Sequence, residues 1–260
     1  MQGLAGKRVL ITGASSGIGA GMARVLAKYG CRLVLHYNAN RAGVDKTLAD
    51  VQALGAQARI VYADFRQLGQ LRAFFEQAWQ QFDGLDALIN NAGVVSKVVS
   101  LKDADGEQFN QTLAVNLQAP YQLSSYFAQA CIEAEQAGSI VNNSSIHAQQ
   151  TCEWFAAYAA SKAALDAITK VHAVEWGAMG IRVNVLAPGV VPVERTDGIL
   201  DQPKLKQKWM ARTPLQRYGL TEEMGEATAF LLSDLSLWMT GSVMTVDGGL
   251  IARGNYPQRD

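Results

Sequence analysis

The chain has 260 residues, 49% of them hydrophobic and 18% charged, with 23 basic and 23 acidic side chains. That much apolar material can build a sizeable core without disulfide or metal staples. A formal net charge of zero excludes the basic field that a nucleic-acid or anionic-membrane partner requires. Residues 8–12 (RVLIT) read as a buried strand, followed by a helix at about 17–29 and a strand at 32–37 (RLVLHY). A helix at 44–54, a strand at 58–63, a helix at 67–82 and a strand at 85–90 (LDALIN) come next. One long helix is expected over about 107–136, then a strand at 139–143, a helix at 155–176 and a strand at 181–186. A loop and short helix fill 189–216, a helix runs 221–233, and the last strand lies at 243–246. Short apolar strands spaced by amphipathic helices indicate βαβ units and a parallel sheet covered on both faces. No linker, repeat or low-complexity tract interrupts the pattern, so one domain over 1–260 is expected.

No apolar run approaches the ~18 residues of a membrane span, and no targeting segment is expected before the first strand. Cys31, Cys131 and Cys152 are odd in number and widely spaced, which suggests reduced thiols in a cytoplasmic setting and neither a disulfide frame nor a metal site. Cys152 reads as a small buried thiol, with a place in the pocket wall as the alternative.

Thr12-Gly-Ala-Ser-Ser-Gly17-Ile-Gly19 joins the first strand to the first helix. Glycines there let backbone approach a ligand, and a helix N-terminus presents unpaired N–H groups to a pyrophosphate. Gly13, Ser15, Ser16, Gly17, Ile18 and Gly19 are therefore expected to hold a dinucleotide, although the spacing departs from the standard Gly-x-Gly-x-x-Gly. The second strand ends His36-Tyr37-Asn38, where NAD-binding sites usually place an acid for the ribose hydroxyls. Tyr37 stands at that acid's position, Asn38 can donate to a 2′-phosphate, and Arg41 is placed to reach one. NADP(H) is favoured on this pattern, with NAD(H) left open. Asp64, with Phe65 beside it, is expected near the adenine amino group.

Tyr158 and Lys162 stand four apart, so on a helix they share one face. An ammonium near a phenol favours the phenolate, which predicts a Tyr158 pKa below its reference of about 10. A tyrosine so tuned can exchange a proton near neutral pH. Ser144 and Ser145 lie a short loop upstream.

With the glycine loop, Asn90-Asn-Ala-Gly93, Asn116, Ser145, Tyr158-x-x-x-Lys162 and Pro188-Gly189 in order, the chain resembles the short-chain dehydrogenase/reductase family over about residues 6–250. The resemblance implies a Rossmann-type α/β fold, a doubly wound parallel sheet with helices on both faces. It also implies a nicotinamide cofactor and a catalytic set of Asn116, Ser145, Tyr158 and Lys162. In that reading Tyr158 exchanges the proton and Ser145 orients the substrate oxygen. Lys162 holds the nicotinamide ribose and lowers the Tyr158 pKa. Asn116 kinks its helix and holds a water. Asn90, Ala92 and Gly93 pack beside the cofactor, and Pro188, Gly189 and Val191 border the carboxamide. One departure stands out: the family's usual threonine after Pro-Gly is Val193 here, with Thr196 three residues later.

Ser144-Ser-Ile-His147-Ala and the loop ending Trp154-Phe-Ala-Ala-Tyr158 are similar to the glucose 1-dehydrogenase branch. His147, Gln149 and Trp154 are the expected substrate contacts, and a sugar or polyol suits their hydrogen-bonding groups. The basic residues of an expected lid at about 190–216 keep a 3-oxoacyl-acyl-carrier-protein reductase open as the alternative. A non-catalytic nucleotide-binding regulator is the alternative of another class. The helices at 107–136 and 155–176 are apolar around more of their circumference than one sheet face needs. The resemblance implies that they pack against a second subunit in a homotetramer, and the tail from Ala252 to Asp260 is a candidate to reach a neighbour.

Overall fold

Along β1 (Arg8–Ile11), Val9 and Ile11 join one apolar cluster while Leu10 joins another. The alternation repeats on the next strand, where Leu33 and Leu35 face one way and Val34 the other. Strands apolar on both sides must be covered on both sides, and this dictates a helix–sheet–helix sandwich. The computed structural model describes residues 1–95 and 106–253. Its strands are β1, β2 (Arg32–Tyr37), β3 (Ala58–Tyr62), β4 (Ala87–Asn90), β5 (Gly138–Asn143), β6 (Ile181–Pro188) and β7 (Val243–Val246). They form one seven-stranded sheet in the order β3-β2-β1-β4-β5-β6-β7, and every pair is parallel. This is a doubly wound Rossmann-type sheet with its switch point between β1 and β4, where the crevice at the strands' carboxyl ends opens.

Helices α1 (Gly17–Lys28), α2 (Arg41–Ala53) and α8 (Thr221–Leu232) contribute to the first cluster. Helices α3 (Leu71–Gln80) and α5 (Ala119–Glu133) contribute to the second. Helix α6 (Ala156–Trp176) packs along β6, and the short α7 (Pro203–Arg212) lies in the segment after it. A buried polar ladder crosses the sheet. Asn90 donates to Ser124 Oγ at 3.0 Å and to Asn142 Oδ1 at 2.8 Å, and Asn142 donates to Thr169 Oγ1 at 2.8 Å. It ties α5 and α6 to neighbouring positions of β4 and β5.

The expected helix 107–136 is broken. Helix α4 (Gly106–Leu113) passes into a π-helical turn at Ala114–Gln118 before α5 begins. The turn centres on Asn116, which bonds both backbone groups of Val94 (Val94 N to Asn116 Oδ1, Asn116 Nδ2 to Val94 O, each 2.8 Å). An inserted residue of this kind re-aims a side chain that a regular helix would turn elsewhere. Helix α2 starts three residues before the expected point because the Asn40 carboxamide caps it, accepting from Gly43 N at 2.9 Å. Cys152 is exposed, contrary to expectation, because the loop before α6 leaves it at the surface; Cys31 and Cys131 are buried. The tail beyond residue 253 lies outside the described residues.

Helix α1 approaches α8 closely because Gly21 and Gly225 face the contact. A Cβ on Gly21 would stand 2.6 Å from the Thr221 carbonyl oxygen, and one on Gly225 would stand 2.7 Å from Val25 Cγ2. Gly177, by contrast, has helical backbone and open space around it. Gly21→Ala is expected to destabilise the protein by about 1–3 kcal/mol through overpacking. Gly177→Ala should be neutral or stabilising by about 0.4–1 kcal/mol. Urea unfolding midpoints of the two variants test the pair, and an unchanged midpoint for Gly21→Ala would remove the close contact.

Candidate active site

The β1–α1 turn forms one wall of a cleft of about 810 Å³ at the carboxyl end of the sheet. Gly13 has φ +66° and Gly17 φ +53°, values that favour glycine. A side chain on Gly19 would drive into the Gly13 carbonyl and the Asn91 carboxamide. The backbone is thus bare where a ligand phosphate approaches a helix N-terminus, and the residues present fit a dinucleotide. Gly13, Ser15, Ser16, Gly17, Ile18 and Gly19 all line the cleft, as expected.

Asn91 and His36, absent from the expected contacts, hold this turn. Asn91 Nδ2 donates to Thr12 O (2.8 Å) and Gly13 O (3.0 Å), and its Oδ1 accepts from Asn143 Nδ2 (2.8 Å). Asn90, the expected contact, points into the sheet's polar ladder because neighbouring strand residues face opposite sides. His36 Nδ1 accepts from Gly13 N (3.1 Å) and its Nε2 meets Ala63 O (3.1 Å), which fixes the Nε2–H tautomer. Burial pushes this imidazole down to about 4, so it is neutral at physiological pH. Its ring stacks on Phe65 at 4.2 Å between centroids. Two short-range cues were available: Asn91 sits inside the Asn-Asn-Ala-Gly run, and His36 is a polar residue in an apolar strand.

At the adenosine end, Asn38, Ala39, Asn40, Phe65 and Arg66 line the cleft. Three expected contacts are engaged elsewhere. Tyr37 packs edge-on against Tyr62 at 5.5 Å. Arg41 pairs with Asp45 at 2.9 Å, both exposed. Asp64 is gripped by Arg66 at 2.6 Å, and that guanidinium holds its carboxyl below the usual carboxylate range. For Arg41 and Asp64 a partner within four residues wins, because local pairs cost little chain entropy, while Tyr37 is held by a ring on the adjacent strand β3.

The catalytic candidates converge at the other end. Ser145, Tyr158 and Lys162 line the cleft together with Ala92, Gly93, Pro188, Gly189 and Val191. Lys162 is buried, its Nζ donating to Asn143 O at 2.7 Å and standing 5.7 Å from the Tyr158 ring centre. Asn116 Nδ2 also reaches Ser161 Oγ at 3.2 Å, which links the π turn to α6. Ser144 turns its hydroxyl to the Lys162 carbonyl at 3.3 Å, while Ser145 hydrogen-bonds toward the Tyr158 phenol.

The expected downward shift of Tyr158 is overturned. Burial raises the phenol above its ordinary value, and the Ser145 hydrogen bond and the Arg195 charge only partly offset it. The same burial, opposed by Asp166, pushes Lys162 down to about 8. Desolvation disfavours both charged forms and dominates each shift.

Of the expected substrate contacts, His147 packs edge-on to Tyr158 at 6.0 Å, whereas Gln149 and Trp154 are exposed in the preceding loop. The cleft is also lined by Val94, Gln108, Gln111, Thr112 and Glu194, none of them expected from the sequence, and by Arg195, one of the basic residues of the expected lid. Thr196 lines it too, but its hydroxyl is spent on Val193, accepting from N at 3.0 Å and donating to O at 2.8 Å. It therefore does not replace the missing threonine in this arrangement.

A family model described as enoyl-(acyl carrier protein) reductase matches residues 13–251. An L-rhamnose 1-dehydrogenase (NAD(P)(+)) of Sphingomonas sp. is 33% identical over 96% of this chain and 98% of that protein. A galactitol 2-dehydrogenase (L-tagatose-forming) of Cereibacter sphaeroides is 34% identical over 95% of each. The crystal structure of a short-chain type dehydrogenase/reductase from Mycobacterium marinum superposes with a TM-score of 0.87 at 30% identity, covering 95% of this chain and 96% of that one.

The Tyr158 phenol should titrate above the ordinary value of about 10 in the cofactor-free protein. Subtracting the phenolate absorbance titration of Tyr158→Phe from that of the parent isolates this group. A midpoint below 10 would restore the charge-dominated view of the pair.

Proposed function

The chain belongs to the short-chain dehydrogenase/reductase family, and from that premise we propose that it interconverts a secondary alcohol and a carbonyl on a sugar or polyol. It is an NAD(P)-dependent oxidoreductase acting on CH–OH groups. The nicotinamide, when bound, gives or takes the hydride. Tyr158 gives the proton to the substrate oxygen in reduction and takes it in oxidation. Ser145 donates to that oxygen and stabilises charge developing on it. Lys162 holds the nicotinamide ribose, and Asn116 holds a relay water from its π turn. The observation that carries this reading is the meeting of Ser145, Tyr158 and Lys162 in one cleft with the bare N-terminus of α1.

The raised phenol and the lowered ammonium suit the two directions differently. A protonated Tyr158 is ready to donate throughout the neutral range. Oxidation needs it ionised, and the positive charge of an oxidised nicotinamide favours that form. The intact proton-transfer set argues against a non-catalytic regulator.

The finer assignments rest on separate observations. NADP(H) is the favoured cofactor, because no carboxylate lines the cleft beside Asn38, Ala39 and Asn40 among the described residues, while Arg66 does. NAD(H) remains the alternative. Gln108 and Gln111 are polar residues that line the cleft, which suits a polyhydroxy ligand, and the relatives named for rhamnose and galactitol agree with it. The whole chain acts as one catalytic domain, with 190–216 as its substrate lid. A homotetramer is proposed on the exposed Val171 and Val174 of α6 and Tyr121 and Ile132 of α5. The three unpaired thiols suit a reducing compartment, and a cytoplasmic location is proposed on that ground. No described helix is long and apolar enough to cross a membrane.

The test is a panel of sugars, polyols and secondary alcohols with each oxidised cofactor, read at the nicotinamide absorbance. Turnover on polyhydroxy substrates is expected, and activity confined to 3-oxoacyl thioesters with the reduced cofactor would favour the reductase alternative. Tyr158→Phe should lose at least ~100-fold in turnover while still binding cofactor, because it keeps the ring and loses the proton. Near-parent turnover would remove Tyr158 from its role. Asn38→Asp should shift kcat/KM toward NAD(H) by repelling a 2′-phosphate. A parent that already prefers NAD(H) would contradict the cofactor assignment.

A further inference from the structure

Helix α1 enters the cleft without a cap of its own. Ser16 makes no side-chain capping bond, and no acid stands in the helix's first turn. The Gly17 N–H instead donates to Glu194 Oε2 at 2.9 Å, a residue 177 positions away on the opposite wall. Val193 leans on the same turn, its Cγ1 2.9 Å from where a Gly17 Cβ would be. An anion at a helix N-terminus is stabilised by the helix dipole, and the same N–H groups make a pyrophosphate seat. Two anions cannot share it, since each requires the same donor and repels the other.

We propose that Glu194 is an internal anion occupying the pyrophosphate seat of the cofactor-free protein, so that the cofactor must displace it to bind. Glu194 thereby sets cofactor affinity. Its release also frees the segment that carries Arg195, whose side chain lines the substrate half of the cleft. The inference rests on the cofactor reading above and adds a competitor to it.

The contact is exposed, so its contribution is modest. Glu194→Gln and Glu194→Ala should each bind NADP⁺ or NAD⁺ about 2- to 10-fold more tightly than the parent. Calorimetric titration of both cofactors into the three proteins reads this without turnover. Hydrogen exchange adds a second readout. In cofactor-free Glu194→Ala, the peptide holding Gly17 should exchange faster than in the parent. When cofactor is added to the parent, that peptide should slow while residues 190–200 speed up. Unchanged or weaker cofactor binding in both variants, with a parent that binds normally, overturns the role of Glu194 alone. A parent and variants that all fail to bind either cofactor overturn the cofactor reading and this inference with it.

Discussion

One chain of hydrogen bonds connects the cofactor cradle to the catalytic lysine. It starts at Thr12 and Gly13 on the end of β1, whose carbonyls accept from Asn91 after β4. Asn91 accepts from Asn143 at the end of β5, and the Asn143 carbonyl accepts from Lys162 on α6. Three strand ends and one helix are thereby held in register by amide groups, which are neutral and keep their hydrogen bonds across the pH range. The parallel order of the sheet makes this geometry available, since it brings the carboxyl ends of β1, β4 and β5 side by side. The glycine turn, the floor of the cleft and the catalytic end depend on that alignment. A second clamp, His36, fixes the turn from the β2 side through a neutral imidazole.

Burial governs the chemistry of the site more than charge pairing does. Lys162 and Tyr158 lie close enough for an ammonium–ring contact, yet each is shifted toward its neutral form. The consequence is a site at rest that is close to neutral and waits for a charged ligand to polarise it. A bound cation of the nicotinamide type would favour the phenolate, and ribose hydroxyls would give the lysine's remaining donors partners they lack in its bond to Asn143. The electrostatic tuning then arrives with the ligand, which links proton transfer to occupancy of the cleft.

The opposite walls of the cleft differ in how firmly they are held. The strand-end wall is tied by buried backbone and amide bonds. The 190–216 wall reaches across through exposed side chains, of which Glu194 on Gly17 is the clearest. Val193, in place of a threonine, offers no hydroxyl there, and Thr196 has turned inward to its own backbone.

Much of the fold was legible in the sequence, because hydrophobic period and glycine placement are local signals. The alternation of strand and helix, the two-sided apolar strands and the glycine turn at the first helix follow from residues within a few positions of one another. Tyr158 and Lys162 share a face for the same reason, and Ser145 lies a short loop upstream. What the sequence could not decide was competition between partners far apart in the chain or pointing to opposite faces. Asn90 and Asn91 are alike in type, and only the strand's final orientation sends one into the core and the other into the cleft. Asp64, Arg41 and Tyr37 were placed on the ligand by position, but neighbours within reach captured them. Asn116 breaks its helix because Val94, 22 residues earlier, offers both backbone groups at the right distance. The sign of the Tyr158 shift belongs to the same class. Desolvation is a property of the packed interior, so spacing alone could show that two groups meet but not how dry the place is where they meet.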